Sequence, residues 1–203
     1  MRAFLLKVLQ PMLLTNLTFP DEGEATERVN AILFKPMPLR RTDGWRAGTP
    51  VPVDGLVPVI AVQPGGIYRN LVTLRGLGNL DGAHHLATED PARENRAIMP
   101  VRGFEAEVST HRHPEARIRV ESANGEMMFV AGTFSYAPGG TRPEHFFPTL
   151  VKPGDDLASF STWAPFLLDL HEAQEWLRPS QERRTLVRRA PYGTLKVKLL
   201  ETA

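Results

Sequence analysis

Cysteine is absent from all 203 residues, so the chain has no disulfide framework, no thiolate nucleophile and no cysteine-held metal. That suits a reducing cytosol, and equally a secreted or particle-bound protein that needs no staples. Long apolar runs are missing too: no stretch approaches the roughly 20 residues a membrane span requires. Nor is there an excess of one charge. The 24 Lys and Arg against 23 Asp and Glu leave a formal net charge of +1, which excludes a uniformly basic nucleic-acid binder. The sequence contains no G-x-S-x-G elbow, P-loop or H-E-x-x-H helix. Met1 to Pro11 has the basic start and apolar run of a signal peptide. Lys7, Gln10 and Pro11 interrupt that run, and no clean small-x-small cleavage site follows, so it reads as a buried first strand of a cytoplasmic protein.

What the chain has in quantity is proline and glycine, 18 and 16 residues spread along most of its length. A proline fixes φ and removes a backbone donor, which leaves room mainly for short elements joined by structured loops. The best-patterned stretches between them alternate with period two. The expectation is one mainly β (α+β) domain over residues 1–203, an antiparallel sheet or sandwich with long Pro/Gly-rich loops. Ala25, Val29, Ile32 and Leu33 predict a short N-terminal helix within Glu24 to Phe34. Prolines 36, 38, 50, 52 and 58 turn residues 36–58 into an extended arm, with Met37, Leu39, Trp45, Val51 and Val53 as its partner-contact residues. Val57 to Val62 and Ile67 to Arg75 are strand candidates about the Pro64-Gly65-Gly66 turn.

Phe104 to Val108 and Ala116 to Glu121 alternate apolar and charged residues, which sets Glu105 and Glu107 against Arg117 and Arg119 across strands. Asn124-Gly125 then predicts a hairpin to Glu126–Tyr136, with a left-handed Gly125 pairing Val120 with Met128 and Ile118 with Val130. Ala137 to Gly154 reads as loop. Trp163, Phe166, Leu167, Leu170, Ala173 and Leu177 lie on one stripe of an amphipathic C-terminal helix capped by Ser161 or Thr162. Tyr192 to Leu200 closes the chain as a strand.

Two patterns bear on chemistry. His111-x-His113 places two imidazoles on one side of an extended segment, as a zinc or iron site can require, and a third ligand for a metal-dependent enzyme would come from His145, Asp155 or Asp81. Solvated surface histidines are the plainer reading, and no cofactor is implied. Arg75 to Gly82 is glycine-rich after a strand, but its third glycine falls one position late for a dinucleotide fingerprint and no crossover helix follows.

The C-terminal basic segment is the strongest partner signal. Arg178, Arg183, Arg184, Arg188, Arg189, Lys196 and Lys198 face Glu182 alone, a local charge of +6 that leaves −5 on the rest of the chain. Such a segment holds phosphates or docks on an acidic protein surface. The leading expectation is therefore a non-enzymatic structural subunit of a larger assembly, a phage or virus particle, tail or similar complex. Its partners are other protein subunits, copies of itself among them. A nucleic-acid-binding subunit of a ribonucleoprotein is the alternative, with Tyr192, Tyr136 or Trp45 as stacking platforms. The strand-first start and the basic closing strand Pro191 to Lys198 resemble the RNA-binding RAMP proteins of CRISPR complexes, although the glycine-rich loop expected near their C-terminus is missing.

Overall fold

The computed structural model describes residues 12–31, 45–63, 66–74, 84–85, 95–109, 116–136, 139–140, 143–178 and 194–200. Their fold is mainly β with three short helices, the second of them α2 (Asp155–Ala158), as the period-two patterning predicts. One sheet has five strands: β1 (Leu13–Thr18), β2 (Pro50–Pro52), β7 (Gly103–Val108), β8 (Ala116–Ser122) and β13 (Leu195–Leu200), in the order β13-β8-β7-β1-β2. The larger sheet contains β3 (Leu56–Gln63), β4 (Gly66–Leu74), β6 (Arg96–Val101), β9 (Met128–Tyr136) and β10 (Pro143–Val151). Short strands β5 (His84–His85), β11 (Ala164–Pro165) and β12 (Leu167–Leu168) join its margins. Because β10 pairs with both β9 and β4, five of these strands close into a ring. Five strands cannot alternate in direction all the way round, so one seam must be parallel. That seam is β10 with β4.

Two cores result. The first lies between the sheets and takes Leu14, Leu17, Phe104, Ile118 and Val120 from the smaller and Val59, Met99, Val130 and Phe146 from the larger. The second lies on the other side of the larger sheet, where α1 (Glu22–Asn30) and α3 (Leu170–Leu177) cover Ile60, Ile98, Phe129 and Ala131. Strands β6 and β9 serve both cores, so their burial is nearly continuous. A strand buried on both faces loses its alternation, and Arg96–Val101 accordingly carries no period-two signal in the sequence.

Helix α1 starts where Asp21 caps it, its carboxylate accepting from the Gly23 and Glu24 amides at 2.8 and 3.3 Å. It spans Glu22–Asn30 rather than starting at Glu24, and residues 32–34 lie outside the described residues. The predicted strands at 57–62, 104–108 and 116–121 form close to those bounds. The predicted first strand at 1–11 and the Pro64-Gly65 turn lie outside the described residues.

Three expectations are corrected. The Asn124-Gly125 turn does not close a hairpin. Gly125 is left-handed, with φ of 75°, but β8 pairs with β7 and β13 in one sheet while β9 pairs with β6, β10 and β12 in the other. The segment read as loop at 137–154 contains β10, the strand that closes the ring. The C-terminal helix starts at Leu170, not near Trp163. Asp169 caps it in a reciprocal box with Glu172, at 2.7 and 3.0 Å. Pro165 and its neighbours before that cap are extended in β11 and β12.

Candidate interaction surface

The outer face of the five-stranded sheet follows directly from register, since residues opposite each other on neighbouring strands share a face. Thr18, Gly103, Glu121 and Lys196 form one row across β1, β7, β8 and β13. Asn16, Glu105, Arg119 and Lys198 form the next, and Leu13, Glu107, Arg117 and Leu200 a third. The inner face of the same strands carries Phe104, Ala106, Ile118 and Val120, all buried. Alternation in the sequence thus becomes one apolar and one charged face.

Glu105 is the hub of that charged face and is only 8% exposed. Its Oε1 accepts from the Arg119 guanidinium at 2.5 Å, and its Oε2 accepts from Arg117 at 2.8 Å and from Asn16 Nδ2 at 2.9 Å. The hydrogen bond from Arg119, helped by Asn16 and by both arginine charges, outweighs burial and holds the carboxyl below its ordinary range. A shallow groove of about 180 Å³ lies at one end of the face, bordered by Thr18, Arg102, Gly103, Arg119, Glu121 and Ser122. Arg102 is committed within its own chain, to Glu24 at 2.5 Å and to the Gly125 carbonyl at 2.7 Å.

The predicted basic site is divided by the fold. Lys196 and Lys198 stand exposed on β13, opposite Glu121 and Arg119 respectively. Arg178 ends α3 on the far side of the larger sheet, where it pairs with Glu175 at 2.7 Å. Arg183, Arg184, Arg188 and Arg189 lie outside the described residues. The structure instead places Arg117 and Arg119 beside the two lysines, a grouping that sequence proximity does not offer but strand alternation does.

Three of the arm residues are seated on their own chain. Trp45 donates from Nε1 to the Pro20 carbonyl at 2.8 Å and packs on the second core. Val51 and Val53 pack on the first core, and β2 pairs with β1. Met37 and Leu39 lie outside the described residues, as do His111 and His113. His145 is on β10, with Nε2 3.4 Å from Glu144 and its ring edge-on to Phe147. Among the described residues no group of three or more His, Asp or Glu side chains converges as a metal site, and no helix is long and apolar enough to cross a membrane.

Sequence reasoning missed Arg96, a guanidinium 1% exposed. It lies 5.2 Å from the Trp176 ring centroid and donates to the Trp176 carbonyl at 3.3 Å. A cation there meets the negative end of α3. Its role is structural, tying that helix to β6.

No protein-family model matches the chain, and no curated protein matches it in sequence. Solved structures do share its fold. A protein from Bacteroides thetaiotaomicron superposes with a TM-score of 0.70 at 12% identity, over 93% of this chain and 92% of that one. A protein from Bordetella bronchiseptica gives 0.62 at 13%, over 93% and 100%. A phage-related protein from the same organism gives 0.57 at 11%, over 93% and 94%. The likeness is one of architecture along almost the whole chain.

Proposed function

We propose that the protein is a non-enzymatic interaction subunit of a larger assembly, such as a phage or virus particle, tail or similar complex. The observation that carries this reading is the margin of the five-stranded sheet. Among the described residues β13 is laddered on one side only, over six residues, beside a face organised in charged rows. The Leu195 amide on that side donates to Asp156; beyond it the edge carries no ladder among the described residues, and such an edge is a ready template for another chain. The fold shared with a phage-related protein is compatible with such a role. The arm contributes less than its composition promised, because Trp45, Val51 and Val53 are half-buried and already packed against their own chain.

Nucleic-acid binding is the second reading, favoured by one feature. Lys198 lies directly opposite Arg119, with Arg117 and Lys196 on the same face. Like charges set opposite each other cost stability, and a polyanion would relieve them. The described aromatics do not add a stacking platform to that face: Trp45 is engaged with Pro20, and Tyr136 packs edge-on to Phe134.

Light scattering across a concentration series, run beside a salt titration with single-stranded RNA and DNA, separates the two. Concentration-dependent complexes indifferent to nucleic acid support the assembly. Salt-sensitive oligonucleotide binding by a monomer overturns it and supports the second reading.

A further inference from the structure

The assembly reading leaves the partner's chemistry open, and the β13 edge supplies it. Resting on that reading, we infer that β13 accepts an extended peptide strand with acidic residues at alternate positions and apolar residues between them.

Three observations converge. First, β13 pairs with β8 through all six residues, Leu195 with Ser122 to Leu200 with Arg117, and no described strand lies on its other side. About half of its backbone N–H and C=O groups therefore point away from β8. One of them, the Leu195 N–H, already donates to Asp156 Oδ2 at 3.3 Å, so strand addition falls to the rest of the edge, from Val197 onward. Second, its side chains are already sorted. Lys196 and Lys198 occupy the charged face, while Val197 and Leu199 are in register with Val120 and Ile118 on the apolar face. Leu199 is 50% exposed, one of two large apolar side chains so exposed among the described residues. An added strand would cover it.

Third, the charges select the occupant. Reading outward from β7, one row runs Glu105, Arg119, Lys198. Glu105 serves Arg117 and Arg119, and no ion pair of Lys198 is found among the described residues. Its directly opposite inner neighbour has the same sign and Glu121 stands only diagonally, so a directly opposed complement comes from the open side. In the adjacent row Lys196 already faces Glu121, and a second acid two residues along the incoming strand would flank it. A second copy of β13 fits poorly. In an antiparallel pairing that keeps the faces matched and centres on the strand, Lys196 meets Lys198 or Lys198 meets itself, and like charges directly opposite are destabilising. The lysines thus disfavour self-pairing and favour an acidic strand.

The probe is a fluorescein-labelled octapeptide of alternating glutamate and valine, followed by anisotropy against the full chain. Binding at least about ten-fold tighter than that of the lysine–valine counterpart is expected from two cross-strand charge pairs. N-methylation of alternate amides that face one edge of the peptide should abolish binding, and methylation along the other edge should not. K196E/K198E, first shown by its melting curve to fold, should reverse the charge preference. Binding that tolerates methylation along either edge overturns the inference, because the contact is then with the charged face alone. A chain that self-assembles in light scattering yet ignores every peptide also overturns it and leaves the assembly reading standing. A chain that binds RNA through the same lysines, and neither peptide nor protein, removes both.

Discussion

Glu105 concentrates the electrostatics of the charged face in one carboxyl. Its folded pKa is lowered, chiefly by the Arg119 hydrogen bond. A lowered carboxyl contributes stability that is fully present above its unfolded value, near 4, and is lost as pH falls through the folded value. Acidification below about pH 4 should therefore destabilise the protein more than it does Glu105→Gln. At neutral pH that variant should lose about 1 kcal/mol, because Arg117 and Arg119 are 44% and 40% exposed and solvent screens them. Urea titrations at pH 7 and pH 3.5 check both statements. Gly125 tests the backbone alone. Its φ is 75° and a Cβ there would meet nothing within 4 Å, so Gly125→Val should cost about 1–2 kcal/mol from conformation. No register slip should accompany it, because β8 and β9 belong to different sheets. A thermal melt reads the cost. Gly132 is the opposite case: its Cβ would stand 2.5 Å from the Phe147 carbonyl and the Phe146 ring. Gly132→Ala should lose about 1–3 kcal/mol through overpacking where β9 meets β10, measurable in the same melt.

At the scale of elements, the prolines obey one rule. Pro58 pairs with Leu71 on β4, while the β3–β6 ladder contains only Ile60 and Ala61. Pro100 lies beyond that same short ladder and, among the described residues, pairs only with β9. Pro148 pairs with Gly132, between the ladder to β4 at His145 and Phe146 and those to β5 and β11 from Thr149 onward. Each stands where its strand is laddered on one side, so a missing donor leaves no gap in a second ladder. That is why 143–151 is a strand although its composition reads as loop. The C-terminal helix shifts weight in a similar way. Leu170 is half-buried in its first turn, where negative charge suits the helix dipole, so Leu170→Asp should leave a folded protein. Trp176 is the stronger point. It is fully buried, packs edge-on to Phe166 at 5.8 Å and donates to the Ala97 carbonyl at 3.0 Å. Trp176→Ala should lose about 3–5 kcal/mol in denaturant unfolding.

At the scale of the molecule, the arm and the edge exchange roles. The chain around Arg46 is fixed by Trp45 to Pro20, by the Gly48 amide to the Phe19 carbonyl at 3.0 Å, and by a bridge between Phe19 and Ala47. Trypsin should therefore cut slowly at Arg46 even in a monomeric sample, and Trp45→Ala should speed that cut, as mass spectrometry of the fragments would show. The amino-acid sequence by itself determined what local sterics and alternation control. These are the mainly β class, the charged and apolar faces of β7 and β8, a short helix through Ala25 and Val29, and the left-handed Gly125. Each depends on residues within a few positions of one another. Tertiary structure alone decided which strands became neighbours. Non-local pairing put β8 and β9 in different sheets, closed a ring through a parallel seam, parted Arg178 from Lys196 and Lys198, and set Lys198 against Arg119. Those outcomes depend on how two buried cores share β6 and β9, an energy spread over contacts between distant segments that no local pattern records.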